Sequence, residues 1–493
     1  MIAVSPSEYK IILNIIAKHA GDCDVLAFGS RYTWTNKDYS DLDLALKANN
    51  KLGLKRLGKI ASAFEESELP FRVDVLDYNT ISPQFRAIID AGHERIHQAG
   101  WTLTRLGTIC KTNQRTYSVS EKWPFVNYLD TGNITENRVS EIQHIVIGHD
   151  TLPSRARRKV AIDDILYSTV HPNQRHYGIV KGVLPNMLVS TGFTVIAVDK
   201  EKANSDYIYY YLTQNDIVDG LHAIGEQSVS AYPSIKPSDI EGLELLLPPL
   251  AEQVEIGRIL RSLDDKIANN MKINNHLEQM AQAIFKSWFV DFEPWGGVMP
   301  DDWRDGTLSD ICAYNRERIE VSGLTTDTYV STENMSPNKG GFSNAAGLPT
   351  IAQTTAFIPG DTLVSNICPY FKKIVYCNFV GGCSTDVLCF RPYSDMFSLY
   401  LYNALYDDGF FDYMVAGSKE TKMPRGDKQQ IMNYHIVIPT DTVLEDFKKS
   451  VAPMNEKRLL HINESARLAD LRDTLLPRLM SGELSVADLD DAR

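Results

Sequence analysis

The chain contains two copies of one unit, and this internal repetition limits its possible folds more than any other feature. The segment WTLTRLGTIC at 101–110 matches WRDGTLSDIC at 303–312, and Tyr128–Ile134 matches Tyr329–Met335. Further matches follow in the same order, pairing Asp164–Ser168 with Asp361–Ser365, Pro233 with Pro424 and Pro248 with Pro439. Because the matches are ordered and their offset only decreases, residues 98–295 and 296–493 are predicted to be two copies of one structural unit.

Each copy has the same internal order. Short β-like runs separated by turn residues come first, as in VLPNMLVSTGFTVIAVD and TLVSNICPYFKKIVYCNFVGG. A long helix follows, at roughly 250–289 in the first copy and 442–480 in the second. The first helix has a heptad seam formed by Ile256, Leu260, Leu263, Ile267, Asn270, Asn274, Leu277, Ala281, Ile284 and Trp288.

The two helices have two possible arrangements. Each helix could lie on the surface of its own domain, or the two could pack together and bury their seams. The repetition favours the pair, and an Asn at a seam position is a known way to fix register. Two globular units held apart by paired helices would suit a ligand with two separated sites.

Composition limits the kind of ligand and the compartment. The formal net charge of -13 over 493 residues argues against coating nucleic acid by bulk electrostatics, so DNA contact needs local basic patches. Seven cysteines without a CxxC pair fit neither a disulfide framework nor a zinc site, which favours a reducing compartment. The N-terminus lacks signal-peptide features and no apolar run is long enough to span a membrane, so we expect a cytoplasmic protein.

Several segments resemble one known family. Leu247–Gln253, LPPLAEQ, and the apolar positions after it look like the junction between target-recognition domain and conserved helix in type I restriction-modification specificity subunits. Val126–Ile134, Leu152–Arg158 and Asp164–Thr169 are similar to the family's first-half pattern, and Tyr329–Met335 to its second-half pattern. The resemblance covers about four-fifths of the chain.

The resemblance implies a subunit that selects double-stranded DNA for other proteins and makes no covalent change itself. Each recognition domain would read one half of a split target, and the helices would set the gap between the halves. The helices would also dock two methyltransferase subunits, which carry S-adenosylmethionine, and restriction subunits that use ATP. The repeats would need no cofactor and no membrane.

Basic and polar clusters in both copies are the candidate DNA contacts. Such side chains suit phosphates and base edges, with Arg reading guanine and Asn or Gln reading adenine. In the first copy they are Arg155, Arg157, Arg158 and Lys159 in a predicted polar loop, then Asn173 and Arg175. In the second copy they are Tyr370, Lys372 and Lys373, then Lys419, Lys422 and Arg425. For any one residue, a solvated basic surface without a ligand is an equally good interpretation.

Residues 1–97 follow a different pattern, that of a small α/β domain. Three β-like runs occur at 25–28, 42–46 and 72–76. Gly29 and Ser30 close the first run, Asp41 and Asp43 lie at the second, and Asp74 lies on the third. Carboxylates on one face of adjacent strands can hold Mg²⁺ against a triphosphate, and a Gly-Ser turn lets backbone N–H groups approach phosphates.

This pattern is similar to that of the minimal nucleotidyltransferases, whose motif is Gly-Ser, a short spacer, Asp-x-Asp and a third Asp on a later strand. The resemblance implies Mg²⁺ and an NTP as cofactors, with Asp41, Asp43 and Asp74 as metal-binding and catalytic residues and Gly29 and Ser30 binding the nucleotide. Asp74 would activate a hydroxyl acceptor on protein or RNA. Four other acidic residues are interpreted as solvated charges, namely Asp22, Asp24, Asp38 and Asp77.

The sequence therefore predicts an α+β multidomain chain and leaves its main function open between two classes. The segments are 1–97, nucleotidyltransferase-like; 98–249 and 296–440, target-recognition domains; and 250–295 and 441–493, spacer helices that pair as a coiled coil. The first hypothesis is a bipartite DNA reader and assembly scaffold. The alternative is a nucleotidyltransferase that the repeats deliver to DNA, and a transcriptional repressor is disfavoured because no helix-turn-helix signature appears.

Overall fold

The computed structural model describes residues 2–37, 39–227, 233–418 and 423–486. It divides into two compact units, and each is described by itself. Unit 1 comprises Met1–Lys266 together with Arg467–Arg493, and unit 2 comprises Ile267–Ala466. Each unit therefore combines globular elements with parts of the two long helices.

The front of unit 1 is a four-stranded sheet covered by helices. Its elements are α1 (Pro6–His19), β1 (Asp24–Phe28), β2 (Leu42–Lys47), α2 (Leu54–Glu65), β3 (Val73–Asp77), α3 (Pro83–Ala91) and β4 (Glu94–His97). The strand order is β3-β2-β1-β4, with β2 and β3 parallel and the other pairs antiparallel. Ser5 caps α1 in a capping box with Glu8, and Ser82 caps α3, which explains where these helices begin. The three predicted strands are confirmed, whereas the sequence interpretation missed β4.

The rest of unit 1 up to the first long helix consists of short strands followed by helices. Its strands are β5 (Thr102–Arg105), β6 (Cys110–Thr112), β7 (Phe125–Leu129), β8 (Ile134–Thr135), β9 (Arg138–Val139), β10 (Gln143–Val146), β11 (Ala156–Lys159), β12 (Ile165–Ser168), β13 (Tyr177–Ile179), β14 (Met187–Ser190) and β15 (Phe193–Val198). They are followed by α4 (Ser205–Thr213), α5 (Asn215–Glu226), α6 (Pro237–Glu241) and β16 (Glu244–Leu247). The strands pair in the orders β10-β7-β14-β11, β13-β12-β15-β6, β16-β5 and β8-β9.

The first long helix, α7, runs over Leu250–Phe289, and unit 2 then has its own set of short strands and helices. Its strands are β17 (Arg304–Thr307), β18 (Cys312–Tyr314), β19 (Arg318–Glu320), β20 (Tyr329–Val330), β21 (Gln353–Phe357), β22 (Thr362–Ser365), β23 (Ile374–Tyr376), β24 (Gly381–Cys383) and β25 (Val387–Pro392). Next come α8 (Ser398–Tyr406), α9 (Asp408–Ala416), α10 (Lys428–Met432), β26 (His435–Ile438) and α11 (Asp441–Met480).

Local structure recurs at the positions that the sequence matches indicate. Unit 2 has the sheet β18-β25-β22-β23, which matches β6-β15-β12-β13 of unit 1, and the pair β17-β26 matches β5-β16. The matched carboxylates Asp164 and Asp361 are each buried beside an arginine, but these arginines lie on different elements, since Arg115 follows β6 and Arg391 lies on β25. One four-stranded sheet and one two-stranded pair therefore have the same strand order in both units, whereas the remaining sheets differ in their outer strands.

The apolar seam of α7 is buried or half-buried along its length. Ile256 and Leu260 belong to the main core of unit 1, together with Leu479 at the end of α11. In unit 2, α7 and α11 contact each other directly. Residues further along α7 contact residues that come earlier in α11. Asn270 Nδ2 donates to Glu464 Oε2 at 2.8 Å, and Asn274 Oδ1 lies 3.0 Å from His461 Nδ1. The two helix segments are thus antiparallel in this unit.

Two findings bear on the predicted compartment. The seven cysteines are all buried and none forms a disulfide. Among the helices that the structure describes, none is long and apolar enough to cross a membrane.

Candidate functional sites

The first candidate site lies where β1 ends in the front sheet. Gly29 follows the strand with φ at +79°, the left-handed region that favours glycine, and a Cβ there would collide with the carboxylate of Asp43. The turn is closed by the Thr33 backbone N–H, which donates to the Gly29 carbonyl at 3.1 Å, and by Thr35, which donates to Ser30 at 3.0 Å. Glycine is therefore required here by backbone conformation and by contact with an acidic side chain.

Two of the predicted carboxylates are neighbours across paired strands. Asp43 on β2 lies directly opposite Asp74 on β3, and its antiparallel partner on β1 is Phe28, the residue before the Gly29 turn. Asp41 is exposed and precedes β2. Burial raises the pKa of the Asp43 carboxyl, and the negative charges of Asp74 and Asp41 raise that pKa further. The fold thus brings Gly29, Asp43 and Asp74 together as expected.

The donor chemistry of this site fits a divalent cation. Carboxylate oxygens are the ligands that Mg²⁺ prefers, and a bound cation would relieve the repulsion that raises the Asp43 pKa. In this conformation Asp74 pairs with Arg72 at 3.0 Å instead. No group of three or more His, Cys, Asp or Glu side chains is close enough to hold a metal anywhere in the described part of the chain. The three carboxylates are near one another but not arranged as a closed metal cage.

Two residues of the front domain have roles that the sequence did not indicate. Arg31 is buried, and its guanidinium donates to the carbonyls of Ser40 at 2.9 Å and Ala3 at 2.8 Å, which holds the segment leading to Asp41. Asp77 was interpreted as a solvated charge, and that interpretation is wrong. It is buried and accepts hydrogen bonds from the backbone N–H groups of Leu52 and Asn79 at 2.8 and 2.9 Å.

The second candidate site is the basic cluster of the first copy. The prediction of a polar loop is wrong for Arg157, Arg158 and Lys159, because they lie on β11, which pairs with β14. On the side away from β14, the Tyr117 N–H donates to the Arg157 carbonyl at 2.7 Å and the Lys159 N–H donates to the Arg115 carbonyl at 3.0 Å. Arg155 precedes the strand and is exposed.

The side chains of this cluster are not equally available to a ligand. Lys159 Nζ lies 2.5 Å from Glu121 Oε2 and 5.2 Å from the centre of the Trp123 ring. Arg158 is half-buried, and burial lowers the pKa of its guanidinium. Arg155 is therefore the member of the cluster best placed to meet a phosphate.

A tight turn recurs in both units at the next predicted cluster. In unit 1 a short 3₁₀ turn containing Asn173 is flanked by His171 and Arg175, both with positive φ. In unit 2 the turn Pro369–Phe371 is flanked by Cys368 and Lys372, also with positive φ. Asn173 is exposed, whereas Arg175 donates to Asn215 Oδ1 at 2.8 Å.

Most of the remaining candidate DNA contacts of unit 2 already form ion pairs or hydrogen bonds with other residues of the chain. Lys372 pairs with Asp408 at 2.9 Å, Lys373 donates to the Thr332 carbonyl at 2.6 Å, and Arg425 pairs with Asp386 at 3.0 Å while staying exposed. Tyr370 is half exposed and stacks near Phe371. Lys419 and Lys422 lie outside the residues that the structure describes.

Two family models match the chain. The model for the type I restriction modification DNA specificity domain matches residues 98–279. The model for polymerase beta nucleotidyltransferases matches residues 12–99. The two matches divide the chain at the start of the first repeat.

Individual relatives match different shares of the chain. The specificity subunit of the type I restriction enzyme HindI of Haemophilus influenzae is 24% identical over 78% of this chain and 99% of its own length. The probable protein adenylyltransferase MntA of the same organism is 42% identical over 17% of this chain and 75% of its own length. A crystal structure of the type I restriction-modification S subunit from M. genitalium is 14% identical, covering 77% of this chain and 96% of that one, with a TM-score of 0.47.

Proposed function

Because the chain belongs to the family of type I restriction-modification specificity subunits and carries a nucleotidyltransferase domain at its front, we propose that its two repeats read the two halves of a split DNA target. The observation that carries this proposal is the recurrence of one strand order and one tight turn in both units. Two similar domains with different surface residues suit two different half-sites. The proposed domains are 98–249 and 296–440.

Different side chains stand at equivalent places, which supports different half-sites. The basic strand β11 of unit 1 is antiparallel to β14, and β21 of unit 2 is antiparallel to β24 in the same way. Arg157, Arg158 and Lys159 on β11 are replaced on β21 by the sequence QTTAF. We infer that unit 1 contacts phosphates with Arg155 and unit 2 with Arg425, and that the exposed Asn173 and Tyr370 face base edges or sugars.

We further propose that α7 and α11 form an antiparallel coiled-coil spacer that relates the two repeats as pseudo-symmetric copies and sets the gap between the half-sites. The contacts of Asn270 with Glu464 and of Asn274 with His461 support a fixed register in unit 2. The same helices would dock two methyltransferase subunits, which supply S-adenosylmethionine, and the restriction subunits. The repeats themselves have no catalytic role in this proposal.

The experiment is a long-read methylome of cells that express this chain with its methyltransferase partner, compared with cells that lack the chain. We expect N6-methyladenine at one split motif with a fixed gap. Arg155→Ala and Arg425→Ala should reduce methylation at the two half-sites, while Asp41→Ala should leave it intact. Complexes that assemble and methylate no split motif would contradict the proposal.

A second function is proposed for the front domain because Gly29, Asp43 and Asp74 converge and because a nucleotidyltransferase family model matches this segment. Asp41, Asp43 and Asp74 would hold Mg²⁺, which supplies charge neutralisation for a bound NTP. Gly29 and Ser30 would face its phosphates, and Asp74 would accept the proton of an acceptor hydroxyl. The name of the adenylyltransferase relative favours AMP and a protein acceptor.

The test uses the full chain, labelled ATP, Mg²⁺ and the partner subunits. Label should appear on one component and should be lost in Asp43→Asn. The control is Asp22→Asn, which removes an exposed carboxylate paired with Arg56 away from the turn. If no component carries label that depends on Asp41 and Asp43, the front domain is not a nucleotidyltransferase.

A further inference from the structure

Unit 1 contains a cavity of about 250 Å³ that neither proposed function uses. It lies where α4 and α5 meet the last turns of α11. Tyr177, Tyr209 and Tyr210 line one part, and Asp264 and Arg472 line another. We call this cavity the tyrosine pocket. Its volume suits a group of side-chain size rather than a nucleotide or a larger cofactor.

The electrostatic character of the tyrosine pocket is negative. Four carboxylates line it against two guanidinium groups. Arg472 is already engaged, since it pairs with Asp264 at 2.7 Å and with Asp473 at 2.8 Å. Arg175 likewise donates to Asn215 at 2.8 Å and pairs with Glu136 at 3.5 Å, so Asp216 is the lining carboxylate with no ion pair among the described residues. The positive charges are therefore used by the protein, and an excess of negative charge remains.

Tyr209 is the polar group whose surroundings point to a ligand. The residue is only 5% exposed, and its ring packs against Tyr177 and Tyr210 with centroids 6.3 and 5.1 Å away. Its hydroxyl forms no hydrogen bond to the residues that the structure describes, and it is not among their fully buried atoms that lack a partner, so solvent in the pocket reaches it. The neighbouring Tyr210 hydroxyl, in contrast, donates to Asp264 at 2.6 Å. A hydroxyl that faces a cavity and forms no hydrogen bond to the protein is available to a ligand or to water.

The space in unit 2 that corresponds to the tyrosine pocket is almost completely filled by protein atoms. Tyr402 is the fifth residue of α8, as Tyr209 is the fifth residue of α4. The Tyr402 hydroxyl lies 3.4 Å from the carboxylate of Glu278, which pairs with Arg458. The space lined by these three residues is only about 10 Å³. Both units therefore have a guanidinium near this tyrosine, but unit 2 leaves almost no space beside it whereas unit 1 leaves a cavity.

We propose that the tyrosine pocket of unit 1 binds an organic cation that ends in a guanidinium or primary ammonium group. Aromatic faces and carboxylates together are the surroundings that such cations prefer. The Tyr209 hydroxyl accepts a hydrogen bond from the cation, and Asp216, which forms no ion pair among the described residues, attracts it. The cation belongs either to a small metabolite or to an arginine or lysine side chain of a partner protein.

The experiment is calorimetric titration of the full chain at low salt with two probes. Agmatine represents a free small cation, and a Gly-Arg-Gly peptide represents an arginine side chain. Tighter binding of the peptide identifies a protein side chain as the source, and tighter binding of agmatine identifies a metabolite. Saturable binding of either probe that weakens at high salt supports the site. Binding of neither probe overturns it.

Variants locate the binding. Tyr209→Phe keeps the ring and should weaken binding about tenfold, the usual effect of losing one hydrogen bond to a charged group. Thr213→Arg places a guanidinium at the lining of the pocket and should abolish probe binding in a folded protein. Glu226→Gln, at the far end of α5 and outside the pocket, is the matched control and should change nothing. Probe binding that is unchanged in both Tyr209→Phe and Thr213→Arg would refute the assignment.

Discussion

The ammonium group of Lys372 lies 2.9 Å from Oδ1 of Asp408, the first residue of α9. In unit 1 the guanidinium of Arg175 makes the equivalent contact with Asn215, the first residue of α5, at 2.8 Å. Both basic residues follow a 3₁₀ turn and have positive φ. Each is thereby fixed to a helix start of its own unit, so a DNA phosphate would compete with an existing partner for these side chains.

Replacing Asp408 with Asn should cost less than about 1 kcal/mol near neutral pH, because the carboxylate is largely exposed. The hydrogen bonds from Lys339 and then Lys372 hold the Asp408 pKa below its ordinary value. A lowered pKa contributes stability above the unfolded pKa of about 3.9, and that stability is lost as the pH falls through the folded value. Urea unfolding should therefore show a difference in the free energy of unfolding between the wild type and Asp408→Asn near pH 7, and this difference should disappear in acid, near pH 3.

The matched control for this change is Asp412→Asn, on the same helix and exposed. We expect it to leave the unfolding midpoint unchanged at both pH values. A destabilisation by Asp408→Asn that grew as the pH fell would contradict the ion pair as its cause.

Gly29 and Gly58 should respond in opposite directions to alanine. Gly29→Ala places a Cβ against Asp43 at a φ of +79°, and we expect a loss of about 1–3 kcal/mol together with loss of nucleotidyl transfer. Gly58 lies inside α2 with nothing within 4 Å of an added Cβ, so Gly58→Ala should stabilise by about 1 kcal/mol. Thermal melting of both variants checks the pair, and a melting temperature that rises in Gly29→Ala would rule out the strained turn.

Removing one member of the ion pair between Glu278 and Arg458 should lower the free energy of unfolding strongly. Replacing both members should lower it much less. Both residues are largely buried, and burial raises the Glu278 pKa despite the nearby guanidinium. Arg458→Met should cost about 3–5 kcal/mol because it leaves an unpaired buried carboxylate. The double variant Glu278→Leu with Arg458→Met should recover most of this loss in denaturant titrations.

The exposed pair of Lys449 and Glu445 on α11 provides the comparison. Lys449→Ala should cost no more than about 0.5 kcal/mol. Equal losses for Arg458→Met and Lys449→Ala would show that burial of the first pair has no energetic consequence.

The cysteines should be unreactive in the folded chain. Burial raises the pKa of the Cys23 thiol to about 11, and that of Cys110, Cys312 and Cys383 to about 12. Since the thiolate is the reactive form, Ellman's reagent near pH 8 should label them slowly in the native protein. In concentrated guanidinium chloride all seven cysteines should react, with or without prior reduction. A change in the denatured count after reduction would reveal a disulfide.

Arg155 and Lys159 should differ in their effect on DNA affinity. Arg155 is exposed, whereas Lys159 is held by Glu121 and Trp123. The affinity falls as the salt concentration rises, and Arg155→Ala should make the slope of log affinity against log salt less steep by about 1, as expected for one lost phosphate contact. Lys159→Ala should change the slope less. Fluorescence anisotropy with target DNA over a range of salt measures both, and a larger effect of Lys159→Ala would reverse this order.

The structure corrects the sequence interpretation at residues whose local structure or burial depends on contacts with distant parts of the chain. The run at 156–159 was interpreted as a polar loop because its charges hide any alternation, but pairing with β14, about thirty residues away in the chain, makes it a strand. Asp77 looks like a solvated charge until the fold brings the backbone of Leu52 against it. β4 was missed because ERIH is too short to show a pattern by itself.

The sequence by itself determined the features that depend on spacing along the chain. These are the two copies, the helical seam at Ile256, Leu260 and Ile267, the strands that carry Asp43 and Asp74, and the glycine at position 29. Periodicity and turn chemistry are local, so one sequence reveals them. Only the tertiary structure decided which basic side chains are already paired, and that the Tyr402 hydroxyl contacts Glu278 while the Tyr209 hydroxyl bonds to none of the described residues. Such contacts join residues far apart in the chain, and no local pattern encodes them.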